Sequence, residues 1–289
     1  MEKKPIVVGM GELLWDVLPD VKKAGGAPVN FAYHASQSGA EAYALSAIGN
    51  DALGDELMQE LEKNRINGDY ISRVDYPTGT VQVELKEGIP SYTIIEGVAW
   101  DRIPLTQAAI DLMKQASAVC FGTLAQRAPE SHDTLRTLLS YVPADSLRFF
   151  DINIRQHFYS KELIEESLRM ANIFKVNDEE LVLLRPMFQL EGTDEEVCRW
   201  FMEHFDLRYV ILTAGADYST IYARTESSTL PTPKVEVADT VGAGDSFSGA
   251  FVASILAGKS LREAHQQAVK VAAFVCTQHG AWPEYPKDL

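Results

Sequence analysis

Along the chain, short apolar runs alternate with longer stretches in which apolar residues recur every three or four positions. "PIVVGMGELLWD" (5–16) opens as a continuous apolar run, the pattern of a strand buried on both faces. "PVNFAYHASQSG" (28–39) reads as a helix, with Pro28 near its first turn and Gly39 past its end. "EAYALSAIG" (41–49) reads as a strand, and "DALGDELMQELEKNRIN" (51–67) as a helix whose apolar face carries Leu53, Leu57, Met58 and Leu61. Further on, "SAVCFGTL", "SLRFFDINI", "ANIFKVN" and "LRYVILTAG" are strand-like. Between them lie the helical "TQAAIDLMKQA", "PESHDTLRTLLSY", "SKELIEESLRMA" and "TDEEVCRWFMEHF", the last opening on a capping box, Thr193 to Glu196. A second box, Ser260 to Glu263, opens a final helix expected to stop at Gly280. The alternation predicts an α/β fold, a mainly parallel sheet flanked by helices, and the length is enough for one large or two unequal domains.

One segment breaks this rhythm. "GTVQVELKEGIPSYTIIEGVAW" (79–100) alternates strictly, with "KEG" as a turn, and predicts a β-hairpin inserted into the α/β chain. Together with strands near 12–24 it would form a small projecting sheet, a lid. A sheet this small buries little by itself, so the same sheet on a second copy is a natural partner.

Composition narrows the function classes. The 289 residues are 46% hydrophobic and 23% charged, ordinary for a globular protein. The N-terminal "MEKKPIVVGM" has no long apolar run and no small-residue cleavage site, and nowhere do the roughly 18 apolar residues of a membrane span occur. Cys120, Cys198 and Cys276 follow no ligand spacing, which predicts buried thiols in a reduced, cytoplasmic setting. A net charge of −15 repels polyanions and argues against nucleic-acid binding. It leaves room for a small anion that arrives with a metal cation.

In open α/β sheets, ligands bind beyond the C-terminal strand ends. Polar residues gather at these ends: Glu12 and Asp16; Asp151, Asn153 and Arg155; Asn177 and Glu180; Thr213 with Gly215. The last strand is followed by "DTVGAGDSFSGAF" (239–251), a glycine-rich turn opening into an apolar helix, and thus a natural anion site. A Walker-type phosphate loop and a GxGxxG dinucleotide fingerprint are both missing, since "GMGELL" has Leu14 at the third glycine position. The six histidines show no metal-ligand spacing. In "KKAGGAPVNFA", Gly25 and Gly26 let the backbone approach a ligand closely, and Asn30 offers both a donor and an acceptor.

"GGAPVNFAYHASQSGAEAYALSAIG" and "DTVGAGDSFSGAF" resemble the two signature patterns of the ribokinase, or PfkB, family of carbohydrate kinases. The first fits from Gly26 through Asn30 and Gly39 to Gly49, the second at Asp239, Gly242, Gly244, Asp245 and Gly249. "GELLWD", "GGAPVN" and "FDINIR" are most similar to the fructokinase branch. The resemblance covers nearly the whole chain and implies a single ribokinase-like domain over residues 1–289 with the hairpin as its lid, and a dimer formed through that lid. It implies an ATP-dependent kinase acting on fructose; 2-keto-3-deoxygluconate, a nucleoside or a non-catalytic sugar sensor are the alternatives. For a nucleoside, Tyr92 and Trp100 would supply an aromatic slot.

The same resemblance assigns roles. Asp245 would be the base that takes the sugar hydroxyl proton, and the amides of Gly242, Ala243 and Gly244 an anion hole. Asp16, Gly25, Gly26 and Asn30 would hold the sugar, and Arg155 would lie near the transferred phosphoryl group. Asn177, Thr213 and Gly215 would lie along ATP, with Glu180 acting through Mg2+. Asp239, Val241 and Gly280 resemble a loop that binds a monovalent cation, K+. Two departures stand out: Asp217 and Tyr218 occupy a stretch where the family often has a second glycine, and Glu284 sits where a small residue would suit the cation loop. The charge of Asp245 inside an anion site is reconciled if it faces the sugar while the amides face the phosphate. On the helix dipole alone, that carboxylate is expected to stay ionised with a low pKa.

Overall fold

The computed structural model describes residues 4–18, 21–86 and 89–289. The chain begins with β1 (Ile6–Met10), β2 (Leu14–Val17), β3 (Lys22–Gly25), α1 (Ala27–Gln37), β4 (Glu41–Gly49), α2 (Ala52–Lys63) and β5 (Asn67–Val74). There follow β6 (Gly79–Lys86), β7 (Ile89–Ile94), α3 (Gln107–Met113), β8 (Ala118–Gly122), α4 (Pro129–Leu139), β9 (Leu147–Asp151), α5 (Lys161–Met170) and β10 (Ile173–Asn177). It ends with α6 (Asp178–Phe188), α7 (Asp194–His204), β11 (Tyr209–Ala214), β12 (Tyr218–Ala223), β13 (Ser227–Pro231), α8 (Ala243–Leu256) and α9 (Leu261–Cys276).

Among the described residues, nine strands form one sheet in the order β13-β12-β11-β10-β9-β8-β1-β4-β5. From β5 to β11 the pairings are parallel, and β12 and β13 add an antiparallel edge. Successive side chains on each strand go to opposite faces, which builds two cores. Val119, Phe121, Phe150, Phe174 and Val210 pack with residues of α3 to α7. Ala118, Cys120, Phe149, Ile173 and Ile211 pack with residues of α1, α8 and α9. That two-sided burial is why these strands read as unbroken apolar runs.

β1 lies between β4 and β8, so the chain leaves its end toward opposite sides of the sheet. Such a switch point opens a crevice at the C-terminal strand ends. Over this crevice stands the second, four-stranded sheet, in the order β3-β2-β6-β7. Its Leu14, Val81 and Ile94 pack on Trp100, Leu124 and Phe158.

Several sequence expectations shift by identifiable causes. The hairpin's second strand ends at Ile94, not near Trp100, and Ala99–Arg102 forms a 3-10 helix. Trp100 is fully buried, with the Arg127 guanidinium 3.9 Å from its ring and Arg127 paired to Asp101 at 2.8 Å. Of the predicted turn at 86–88, residues 87 and 88 lie outside the described residues. The last helix ends at Cys276 rather than Gly280, and α8 begins at Ala243, so the glycine turn belongs partly to the helix. The capping boxes at Thr193 and Ser260 are present as read.

Candidate active site

A cleft of about 770 Å³ separates the strand ends from the small sheet. Glu12, Asp16, Gly26, Asn30, Asp151, Arg155, Lys175, Asn177, Glu180, Thr213, Val241, Gly242, Gly244 and Asp245 all line it. Residues spread over most of the sequence thus meet in one place, because most of them lie near strand ends or helix starts at the same edge and Asp16 comes from the small sheet above it. Gly26 is required there: its φ is +132°, and a Cβ would lie 2.2 Å from the Glu12 carbonyl oxygen. At Gly25 a Cβ would make ordinary contacts with the Asp16 and Asn30 side-chain oxygens, at 3.8 and 3.9 Å.

Gly242, at φ 79° in the left-handed region, caps α8, and Ala243, Gly244 and Asp245 form its first turn. The Ala243 amide donates to the Thr240 carbonyl at 3.3 Å, and the remaining amides of that turn carry partial positive charge. Asn30 Nδ2 donates to Asp245 Oδ2 at 2.8 Å, while Trp282 Nε1 donates to Asn30 Oδ1 at 2.8 Å. An indole can only donate, so Trp282 fixes which end of the amide faces the carboxylate. Asp245 is partly accessible from the cleft and enclosed by protein elsewhere. Burial is the main influence on it and pushes its pKa up to about 6, against the Asn30 bond, with Asp151 adding repulsion and Lys175 and Arg155 opposing it. The low pKa expected from the helix dipole is therefore corrected: loss of hydration outweighs the dipole, although the group is still mostly ionised at neutral pH.

Two residues given no role in the sequence reading, Lys175 and Glu12, complete the charge arrangement. Lys175 Nζ donates to Asp151 Oδ2 at 2.6 Å, and both are buried. Burial works to deprotonate Lys175, but Asp151 reverses this and raises its pKa. The ammonium lies 3.3 Å from where a Gly244 Cβ would be, beside the glycine turn. Glu12 is the other: its Oε2 is buried without a hydrogen-bond partner, and burial, opposed by main-chain amides, pushes its pKa to about 7.

Asn177 and Glu180 form the capping box of α6. Glu180 accepts from the Asn177 amide at 2.9 Å and the Ile154 amide at 2.8 Å, so both carboxylate oxygens are engaged. Arg155 is exposed over the cleft and donates to the Ile154 carbonyl at 3.1 Å. Thr213 lines the cleft, whereas Gly215 lies beyond it at the β11–β12 turn and accepts from Thr232. Asp239 accepts from Val241 N at 3.1 Å and Gly280 N at 3.2 Å, which brings the three predicted cation-loop residues together. Glu284 turns away, 81% exposed and 3.9 Å from Arg65.

The sequence pattern of pfkB family carbohydrate kinases matches residues 11–288. The chain belongs to the PfkB family. Fructokinase-1 of Oryza sativa subsp. japonica is 27% identical, over 99% of this chain and 96% of the relative. An uncharacterized sugar kinase from Pyrococcus horikoshii, solved in complex with ATP, is 29% identical with a TM-score of 0.83, over 98% of this chain and 96% of that one. The fructokinase of Xylella fastidiosa with bound ATP has a TM-score of 0.85 at 21% identity, over 98% and 95% of the two chains. This PfkB kinase is therefore a phosphotransferase with the ribokinase-like fold. One signal in the PfkB chain pointed to Lys175: a lone charge inside the apolar strand "IFKVN", which burial alone forbids without an acidic partner.

Proposed function

We propose that this kinase transfers the γ-phosphoryl group of ATP to a hydroxyl of fructose, with Asp245 as the base. The observation that carries this is the placement of Asp245: in the first turn of α8, beside bare amides, and tied by Asn30 to the face that holds Asp16. In a loose phosphoryl-transfer transition state, positioning and charge neutralisation matter more than proton abstraction. A carboxylate with a pKa near 6 is suited to the work. It accepts the proton as the hydroxyl bonds to phosphorus, while the α8 amides, Lys175 and Arg155 face the phosphoryl oxygens. Magnesium enters with ATP and, when bound, neutralises charge on its phosphates. Asp16 and Asn30 hold the sugar; one N–H of the Asn30 amide is left for it. The small sheet acts as a lid, excluding water and limiting wasteful ATP hydrolysis.

Fructose is favoured by the fructokinases among the relatives. The nucleoside reading loses half of its aromatic slot, because Trp100 is fully buried and only Tyr92, 58% exposed, borders the cleft. A sugar panel with ATP and magnesium, followed by ADP release, tests the assignment. Fructose should give the highest kcat/KM. A clear preference for a sugar acid or a nucleoside would contradict it, as would tight sugar binding with no ADP from any sugar.

A further inference from the structure

The loop that resembles a potassium site already holds a cation from the chain itself. Lys23 Nζ, on β3 of the small sheet, donates to Asp239 Oδ2 at 2.8 Å. The same carboxylate accepts the Gly280 amide at Oδ2 and the Val241 amide at Oδ1, at 3.2 and 3.1 Å. Its oxygens thus meet three N–H donors, an arrangement that does not fit a potassium ion. A potassium ion needs those lone pairs for itself, and it is about the size of an ammonium group. The Asp239 side chain is 14% exposed and that of Lys23 is 36% exposed, so the pair is part-buried and less screened than a surface bridge. Burial raises the Asp239 pKa, but the Lys23 bond and the two amides override it and hold it below its ordinary value.

Geometry also says what this charge does. Asp239 anchors the Val241 amide just before Gly242 turns left-handed to cap α8. An unpaired carboxylate there would oppose anion binding at the adjacent amides. Lys23 stands opposite Asp16 in the β2–β3 register, so the strand that carries the sugar contact is tied to the turn that meets the phosphate. We infer that Lys23 is a positioning residue that takes the place of a monovalent cation, making this kinase independent of potassium. The inference rests on reading the α8 turn as the phosphate site.

The test compares wild type and Lys23→Met in potassium, ammonium and tetramethylammonium chloride at equal ionic strength. The variant keeps the aliphatic stem at a part-exposed position, and Lys23→Gln repeats the test with a polar replacement. Two quantities are read: affinity for ADP with magnesium, and the melting temperature of ligand-free protein. Wild type should show the same values in all three salts. Lys23→Met should bind ADP roughly tenfold more weakly in tetramethylammonium. It should recover both affinity and melting temperature in potassium or ammonium. A wild type whose affinity rises about fivefold or more with potassium overturns the inference. So does a variant that loses nothing, or one that loses affinity without cation rescue. Wild-type ADP binding in any salt checks the phosphate site by itself, and the ligand-free melt checks Lys23 with no nucleotide at all.

Discussion

At the residue scale, the site is a problem in hydration. Glu12, Asp245 and Glu180 all have raised pKa values, and in each case burial is the largest cause. The three differ in how that cost is offset. Glu180 receives two amides, Asp245 receives Asn30, and one oxygen of Glu12 receives nothing. Glu12 should therefore weaken the fold as it ionises. Its folded pKa, about 7, lies above the ordinary 4.5, so the folded state binds the proton more tightly. Stability is full below the unfolded value and declines as pH rises toward 7, by up to about 3 kcal/mol. Glu12→Gln should match wild type in thermal melts at pH 5 and exceed it at pH 8. Equal melting temperatures at pH 8 would show that Glu12 is solvated or paired after all.

At the element scale, neighbouring strands β9 and β10 place Asp151 and Lys175 as direct partners in the register, at the edge of the cleft. Removing one member of a buried pair leaves an unpaired charge and costs about 3–5 kcal/mol, whereas replacing both can be neutral. Lys175→Met should melt far below wild type, and Asp151→Leu with Lys175→Met should recover the loss while turnover stays low. Recovery of turnover in the double variant would remove Lys175 from phosphoryl handling. The same strands show what the sequence made legible. "SLRFFDINI" and "ANIFKVN" announce themselves as strands because both faces are buried, and the polar residues that end them mark the cleft. The Asp151–Lys175 pairing was illegible because it depends on strand order. β5 and β13 were illegible as well, because edge strands such as these, half-buried or exposed, lack a continuous apolar run. The glycine-rich turn that opens α8, by contrast, was plain from its glycines.

At the scale of the whole molecule, an enzyme with a net charge of −15 binds a nucleotide polyanion through local charge alone. Lys175, Arg155, Lys23 and the α8 amides gather at one end of the sheet, and the switch point beside β1 decides that they meet there. Family membership was readable from two motifs near opposite ends of the chain; the fold explains why they belong together, since Asn30 of one bonds Asp245 of the other. In the proposed reading that contact joins sugar side to phosphate side, which makes Asp245→Asn the most direct test. The substitution keeps shape and removes the proposed base. Turnover measured by ADP release should fall roughly 10²-fold or more, while sugar affinity by calorimetry stays near wild type. Turnover close to wild type would contradict the account.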